Sequence, residues 1–402
     1  MLAIGAWTVP VYSHSFVYQE LAALAEAGFE VRLCRSRRGP ARELPSRLAA
    51  LAPRLVGLEG GAGAGRRGFE RWRRRAPRRV DDLLAELAGA SGLDEAALLR
   101  RPAVLRAFLF AEVAEAWRAD YLHSYFFYEG SLAAHVAARL LDLPRGVSCY
   151  ADHLLADDPL KVVALHLTAA DLLVATSERI AGELRALAPE VAPRILVKAN
   201  AIDCRHFPVL PPRPPGGLRR LLAVCRIDAK KGLPDAVAAL AALVAGGRDV
   251  ELEIAGTADG GAAGRAARRD LLDAIRTSGL GERVRLLGRC DEAQLRRAYC
   301  RADLFVLPSI ELPDGDKDGI PTALLEAMAS GLPVLAVASG ATPDLIRTDV
   351  DGLLLPDRSD DELAVRTLAR LVGDAALRKR LGEAAMASAT RFDRRGSVEL
   401  WC

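Results

Sequence analysis

Nothing in the 402-residue chain approaches the roughly 18 consecutive apolar residues of a membrane-spanning helix, so no such helix is expected. The opening MLAIGAWTVPVY lacks the basic start and small-residue cleavage site of a secretory signal and reads as a first strand. The seven cysteines are scattered with no C-x-x-C pair, which argues against a disulfide framework and against a zinc site, and fits a reducing cytoplasm. There is no short-period internal repeat and no tight Asp/His cluster of the kind a catalytic metal needs. With 51% hydrophobic and 27% charged residues, the chain is long and apolar enough for a sizeable core, and global disorder is excluded. The length favours two or three domains.

Net charge is only +3, but it is uneven. Residues 32–79 hold fifteen Arg against three acids, a balance of +12, so the remainder carries −9. The densest part, RRGFERWRRRAPRR over 66–79, has eight Arg and one Glu, interrupted by Phe69 and Trp72 at i, i+3 spacing. Arginines around aromatic rings suit an anionic membrane surface. The same run also reads as a solvated Arg-rich helix in a chain that uses Arg far more than Lys. Nucleic acid is the least favoured of the three, and no nucleic-acid partner is expected.

One connector stands out. FPVLPPRPPGG, residues 207–217, packs five prolines and two glycines and can be neither a helix nor a central strand. After it, strands at 219–227, 250–256, 283–289, 302–309, 333–337 and 351–356 alternate with helices at 232–245, 264–278, 291–300, 321–330, 360–372 and 374–390. Short apolar runs between amphipathic helices predict a parallel, doubly wound sheet, whose ligands bind beyond the C-terminal strand ends. Ahead of the connector the pattern is similar but less regular, with strands in LAIGAW, FEVRLC, ADYLHSYF, GVSCYADH, ADLLVAT and RILVKANAID, and a helix over 15–28. The expected fold is α/β: two doubly wound parallel-sheet (Rossmann-like) domains facing across a cleft. They are assigned as 1–206 and 218–385, joined by 207–217, with 386–402 returning to the first domain.

Residues 314–334, DGDKDGIPTALLEAMASGLPV, raise a chemical question. Three aspartates and a lysine crowd a turn, and a short apolar helix follows that carries one acid, Glu326. Pro321 suits the first turn, and Gly331 with Pro333 suits the stop. The N–H groups of Gly319, Ile320 and Thr322 would point out of the helix start, a natural seat for phosphate. Helical side chains lean toward the N-terminus, so Glu326 is expected to reach toward the same mouth as Asp318. Amides for a phosphate and carboxylates for hydroxyl groups together suit a sugar nucleotide. A capped helix beside a solvated acidic turn would read the same way locally.

At this point several motifs coincide, in order, across nearly the whole chain. CRIDAKKG (225–232), RVRLLGR (283–289), DGIPTALLE (318–326), EAMASGLPVLA and DGLLLP resemble the GT-B glycosyltransferases of glycosyltransferase family 4, a retaining family. PVYSHSFVYQELAALAEAGFEV (10–31) resembles its colanic-acid and exopolysaccharide branch. The resemblance implies a GT-B architecture with an acceptor-side N-terminal domain and a nucleotide-sugar-binding C-terminal domain. It implies that Arg226 and Lys231 hold the donor diphosphate, Asp318 contacts the transferred sugar, Glu326 accepts ribose hydroxyls and backbone near Arg289 meets the base. Gly319, Ile320, Pro321 and Thr322 would line the phosphate seat. It further implies a nucleoside-diphosphate sugar as donor substrate, no metal or other cofactor, a lipid-linked or small-molecule hydroxyl acceptor, and a place in the cytoplasm or on the inner face of the cell membrane through Arg66 to Arg79. Departures are visible. Cys225 replaces a Gly, Asp318 replaces a Glu, and Tyr125 stands in HSYF where the branch has a second His. YADH puts Asp152 at the usual catalytic-side His position, with His153 beside it. Those two residues are the candidates for orienting the donor sugar or taking a proton. A sugar-nucleotide epimerase on the same scaffold and a non-catalytic nucleotide-binding subunit are the alternative readings.

Overall fold

The computed structural model describes residues 2–4, 8–9, 14–35, 37–38, 51–58, 61–150, 158–207, 219–356 and 361–401. Asp152, His153 and the proline-rich stretch 208–217 lie outside the described residues. The chain forms two compact units, one of Met1–Ala199 with Ser397–Cys402, the other of Asn200–Gly396. The division thus falls at 199/200, ahead of the 206/207 expected, because the segment before the prolines is tied into the second unit. Asn200 Nδ2 donates to the Ile320 carbonyl at 3.2 Å. Ile202 N donates to Phe392 O at 2.9 Å, and Arg394 N donates to Ile202 O at 2.8 Å. The same bonds keep the chain in the second unit as far as Gly396, so 397–402 belongs to the first unit rather than all of 386–402.

In the first unit the order is β1 Leu2–Ile4, β2 Thr8–Val9, α1 Ser15–Glu26, β3 Arg32–Arg35, β4 Arg37–Arg38, β5 Leu55–Gly57, α2 Gly61–Arg75, α3 Pro77–Ser91, α4 Glu95–Arg100, α5 Pro102–Ala116, β6 Leu122–Tyr125, α6 Glu129–Leu141, β7 Arg145–Cys149, α7 Val163–Ala169, β8 Leu172–Ala175, α8 Glu178–Leu187 and β9 Ile195–Val197. Seven strands make one sheet in the order β5-β3-β1-β6-β7-β8-β9, and every pairing is parallel. The chain winds outward from β1 through β3 to β5, then restarts at β6 on the other side of β1. The switch point of this sheet is therefore between β1 and β6. Ser177 caps α8, its hydroxyl accepting from Ile180 N at 3.2 Å.

In the second unit, β10 Arg219–Val224, α9 Leu233–Ala245, β11 Val250–Ala255, α10 Ala262–Thr277, β12 Val284–Gly288, α11 Glu292–Arg301, β13 Leu304–Leu307, α12 Thr322–Ala329, β14 Val334–Val337, α13 Thr342–Leu345, β15 Leu353–Leu355, α14 Asp361–Gly373, α15 Ala375–Ala389 and α16 Arg394–Glu399 follow in turn. Six parallel strands are ordered β12-β11-β10-β13-β14-β15, with the switch point between β10 and β13. The Val/Leu/Ile-rich inner strands are buried on both faces, as a helix-covered parallel sheet requires, while the edge strand β12 exposes Arg285 and Leu286.

The arginine-rich stretch differs from the surface motif read in the sequence. It spans α2 and the start of α3, in a helical insertion between β5 and β6. Phe69 and Trp72 are not presented to solvent; they are 2% and 3% exposed and belong to the main core of the unit. Phe69 meets Phe108 edge-on at 5.1 Å. The reason is a helical stripe, Gly65, Gly68, Phe69 and Trp72, at i, i+3, i+4, i+7 spacing. A Cβ at Gly65 would lie 3.0 Å from the Leu105 backbone, so the small residues let α5 close against the rings. Several arginines on the outer side are already paired. Arg71 bonds Glu112 at 2.6 and 2.5 Å, Arg73 bonds Glu95 at 3.0 Å, and Arg75 bonds Glu115 at 2.7 Å. Arg75 also lies 4.8 Å over the Trp72 ring. Arg67, Arg74 and Arg78 are exposed and have no acidic partner among the described residues.

Candidate active site

In a parallel sheet all C-terminal strand ends share one edge, and the second unit concentrates its unusual side chains there, at the β10/β13 switch point. Arg226 and Lys231 follow β10; Ser309 and Asp318 follow β13. A 3-10 turn, Ala229–Lys231, capped by Asp228, sets the two lysines side by side. Lys230 Nζ bonds Asp316 at 2.8 Å, and Lys231 Nζ lies 2.7 and 2.6 Å from the two oxygens of Asp318. The crowded aspartates of 314–318 thus alternate their grip on adjacent lysines.

Asp318 is 8% exposed, and Ser309 Oγ also donates to it at 2.7 Å. Burial pushes its carboxyl up, but the Lys231 charge and hydrogen bond, with Ser309, outweigh burial and hold it below the usual aspartate range. Backbone shape keeps the pocket tight. Gly340 has φ +58°, and a Cβ there would lie 1.9 Å from Asp318 O. Gly232 has φ +57°, and its Cβ would lie 2.0 Å from Pro308 O. Only glycine fits either place.

Arg226 stands nearer the mouth, its side chain 41% exposed, between Asp228 at 3.2 Å and Asp259 at 2.8 Å. Burial lowers its pKa, but the two acids raise it further, so the guanidinium is fixed as a cation. Behind it the Cys225 thiol is pushed up to about 12 by burial, which keeps it neutral and unreactive.

The helix α12 begins one residue later than expected, with Pro321 at the cap position and no side-chain cap. Among the described residues no protein group accepts from the N–H of Gly319, Ile320 or Thr322, and Pro321 has none to give. Glu326 lies on the buried side of this helix, 5% exposed, with its Oε2 2.9 Å from the Tyr299 hydroxyl. Tyr299 also reaches Ala323 O at 3.2 Å. Arg289 is exposed just beyond β12.

The structure therefore brings Arg226, Lys231 and Asp318 together and sets the start of α12 on the same edge. Asp152 and His153 lie outside the described residues. Sequence reasoning missed Tyr299, Ser309, Lys230 and Asp259 as supports of the named groups. The doubled Lys-Lys opposite the doubled Asp-x-Asp was a readable signal for the ion pairs; Tyr299, inside an ordinary amphipathic helix, carried none. Among the described residues no group of three or more His, Cys, Asp or Glu is placed to hold a metal ion, and no helix is long and apolar enough to cross a membrane.

Two parallel α/β units define the fold class, that of the GT-B glycosyltransferases. Sucrose-phosphate synthase from Thermosynechococcus elongatus superposes with a TM-score of 0.71 at 19% identity, covering 100% of this chain and 97% of that one. HepE of Anabaena, in complex with UDP and glucose, superposes with a TM-score of 0.71 at 16% identity over 99% and 97%. Residues 212–387, most of the second unit, match the family described as glycosyl transferases group 1. Among curated relatives, the amylovoran biosynthesis glycosyltransferase AmsK of Erwinia amylovora is 38% identical over 156 residues, 39% of this chain and 37% of AmsK. WcaL of Escherichia coli, assigned to colanic acid biosynthesis as a glycosyltransferase, is 31% identical over 201 residues, 50% of this chain and 47% of WcaL. The matches thus span about half the length of these relatives or less.

Proposed function

We propose that the chain is a retaining glycosyltransferase of family 4, which moves a sugar from a nucleoside-diphosphate sugar to a hydroxyl acceptor in the building of an exopolysaccharide. The observation that carries this reading is the convergence of Arg226, Lys231 and Asp318 at the β10/β13 switch point, on the same sheet edge as the unpaired amides at the start of α12. The match to group 1 glycosyl transferases and the relatives AmsK and WcaL support it.

Breaking a sugar–phosphate bond builds positive charge on the anomeric carbon and negative charge on the leaving diphosphate. Arg226 offers forked hydrogen bonds and Lys231 a point charge for that diphosphate. The amides of Gly319, Ile320 and Thr322 add fixed dipoles, and together these preorganised donors replace a metal. Asp318 holds hydroxyls of the transferred sugar. Glu326, oriented by Tyr299, accepts from the ribose, and the backbone near Arg289 meets the base. On the acceptor side, Asp152 or His153 orients the donor sugar or takes a proton. The leaving phosphate assists deprotonation of the acceptor, and transfer occurs on the front face with retention.

The acceptor is a lipid-linked carrier or a small molecule. A lipid-linked one favours an enzyme held at the inner face of the cell membrane, and Arg67, Arg74 and Arg78 are the cations free to meet an anionic leaflet, each contributing about 1 kcal/mol at low salt. Changing those three to Gln should release the protein from phosphatidylserine vesicles, whereas changing the paired Arg71 and Arg75 should do less. Indifference of the unaltered protein to such vesicles at low salt would assign the acceptor to solution.

The reading itself is tested by thermal shift with a panel of UDP-, GDP- and ADP-sugars, where a ligand at 100 times its dissociation constant adds about 2.7 kcal/mol. No shift with any member of the panel would overturn it. Donor isomerised or hydrolysed without an acceptor would point to an epimerase, and binding without turnover to a non-catalytic subunit.

A further inference from the structure

The first sheet has its own switch point, between β1 and β6, and a ligand crevice is expected beyond the C-terminal ends of those strands. What the chain places there is aromatic. His14 stands just ahead of α1 and Phe16 in its first turn; the end of β6 delivers Phe126; the end of the neighbouring β7 delivers Tyr150. Phe126 lies against Tyr150, with ring centroids 4.4 Å apart and planes tilted by 31°. Phe16 leans on Tyr150 at 5.0 Å, and His14 closes on Phe126 at 4.9 Å. Tyr150 is the floor at 8% exposure, while His14, Phe16 and Phe126 remain half-buried at the rim.

Phe126 also has a backbone that packing alone does not ask for. Its φ is +67°, in the left-handed region that a bulky residue rarely enters. Two bonds hold it there. Its N–H donates to Ser148 O at 3.1 Å, and its carbonyl accepts from Ser131 Oγ in the first turn of α6. The sheet ladder and the helix start thus fix the turn from both sides and hold the ring, half-buried, at the strand ends. Residues held in such conformations cluster at ligand sites. An apolar guest alone would be served by Leu or Val. Phenylalanine rings flanked by an imidazole and floored by a phenol fit a guest with one C–H face and a girdle of hydroxyls.

We infer that Phe126 and Phe16, floored by Tyr150 and flanked by His14, form a subsite that stacks on the C–H face of a pyranose ring, and that this ring belongs to the acceptor. The identity of the ring as acceptor rests on the glycosyltransferase reading; the stacking does not. The subsite selects acceptors by ring face, so an acceptor ring with an axial hydroxyl on the stacked side is excluded from it.

The test uses saturation-transfer NMR on the full chain, irradiating protein aromatic resonances in the presence of millimolar methyl glycosides of glucose, galactose and mannose. Two substitutions remove the rings. Phe126→Gly suits the left-handed backbone better than Phe does, so the loop keeps its shape, and Phe16→Ala suits a helix. Transfer to ring C–H protons of at least one glycoside is expected. It should fall about five-fold or more in each variant, within the range that one stacked ring contributes. Phe126→Leu, which restores bulk but not the flat face, should stay low; a purely structural ring would be rescued by Leu. No aromatic transfer to any of the three glycosides, or transfer that survives both ring removals, overturns the inference. Glycoside transfer in a protein that fails the nucleotide-sugar panel would leave the stacking subsite standing and remove the glycosyltransferase reading.

Discussion

Lys231 and Asp318 occupy each other: the ammonium lies 2.7 and 2.6 Å from the two carboxylate oxygens, in surroundings where the two side chains are 12% and 9% exposed. In the proposed mechanism the same lysine serves a diphosphate and the same carboxylate serves a sugar. Each donor therefore has to replace the bond it breaks. A phosphate that draws Lys231 away leaves Asp318 buried with Ser309, unless sugar hydroxyls take the place of the ammonium. Nucleotide and sugar should accordingly bind as a coupled pair. A nucleoside-diphosphate sugar that binds this site should do so more tightly than its nucleoside diphosphate alone, and Asp318→Asn should erase that difference in a calorimetric titration. Equal affinities in the unaltered protein would count against the coupling.

The pair also separates stability from activity. Lys231→Ala leaves a buried carboxylate alone, which costs about 3–5 kcal/mol when a buried ion pair loses one partner. Adding Asp318→Asn should return most of the lost denaturation midpoint but none of the transfer rate, down about 10²–10³ in both proteins. Arg226→Ala should lose a similar factor in rate with an unchanged midpoint, because that side chain is 41% exposed. Stability unchanged in Lys231→Ala would mean that the pair is not buried as described.

Chelation gives an independent check on the chemistry. With Arg226, Lys231 and the amides of α12 supplying the positive charge, EDTA should leave transfer within roughly a factor of two. Activity abolished by EDTA and restored by Mg²⁺ or Mn²⁺ would require a different account of the leaving group.

Tyr299 offers a quieter perturbation. Its hydroxyl is 2.9 Å from Glu326 Oε2, and a hydrogen bond to a charged group contributes about 1.5–3 kcal/mol. Tyr299→Phe should therefore lower stability by an amount of that order. If Glu326 serves the ribose, the variant should raise the donor KM several-fold and change kcat little. A fall in kcat at constant KM would move Glu326 from nucleotide binding to the reacting sugar.

Acid should weaken the first unit. His123 is buried, its Nε2 2.8 Å from Ser148 Oγ and its Nδ1 3.1 Å from the Tyr121 hydroxyl. Burial foremost, with Lys198 adding and Glu20 opposing, lowers its pKa from 6.5 to about 4. The unfolded chain then binds the proton first, so stability present above pH 6.5 is lost as pH falls toward about 4, on the order of 3 kcal/mol from this group. The buried His135 and His166 are also lowered, chiefly by burial, and act in the same direction. Amide exchange should speed up in the first unit before the second as pH drops through this window, and His123→Gln should flatten the slope. Protection lost first in the second unit would contradict this.

Much of this was legible before any coordinates, and unevenly so. In the second unit each expected strand and helix lies within two or three residues of its place in the structure, because the strands are apolar runs flanked by turn residues; the short helices α13 and α16 had no such signal. The first unit hid more. The insertion from α2 to α5 supplies much of the core, through residues such as Phe69, Trp72, Leu83, Leu87 and Phe108, but arginines dominate the composition where it begins. Phe69 and Trp72 looked like surface aromatics because their charged neighbours drew attention from Gly65 and Gly68, whose absent side chains mark the face that α5 covers. The site shows the same division. Lys231, Asp318 and Glu326 sit in motifs that local spacing exposes, whereas Tyr299 and Ser309 reach them only through the winding of the sheet.

The placement of Trp401 sets an order of events during synthesis. Its ring stands 4.9 Å edge-on from His123 and 5.7 Å from the Lys198 ammonium, above the ion pair that Lys198 makes with Glu20. The rest of the first unit, through Ala199, is synthesised before the second unit begins, yet the segment from Ser397 that carries this cover is made only after the whole of the second unit. At about 5–20 residues per second, the nascent first unit stands for roughly 10–40 s with that ion pair uncovered. A chaperone that recognises this unit has that interval in which to act, and a ribosome stalled within the second unit would release a first unit that is fully wound but never sealed.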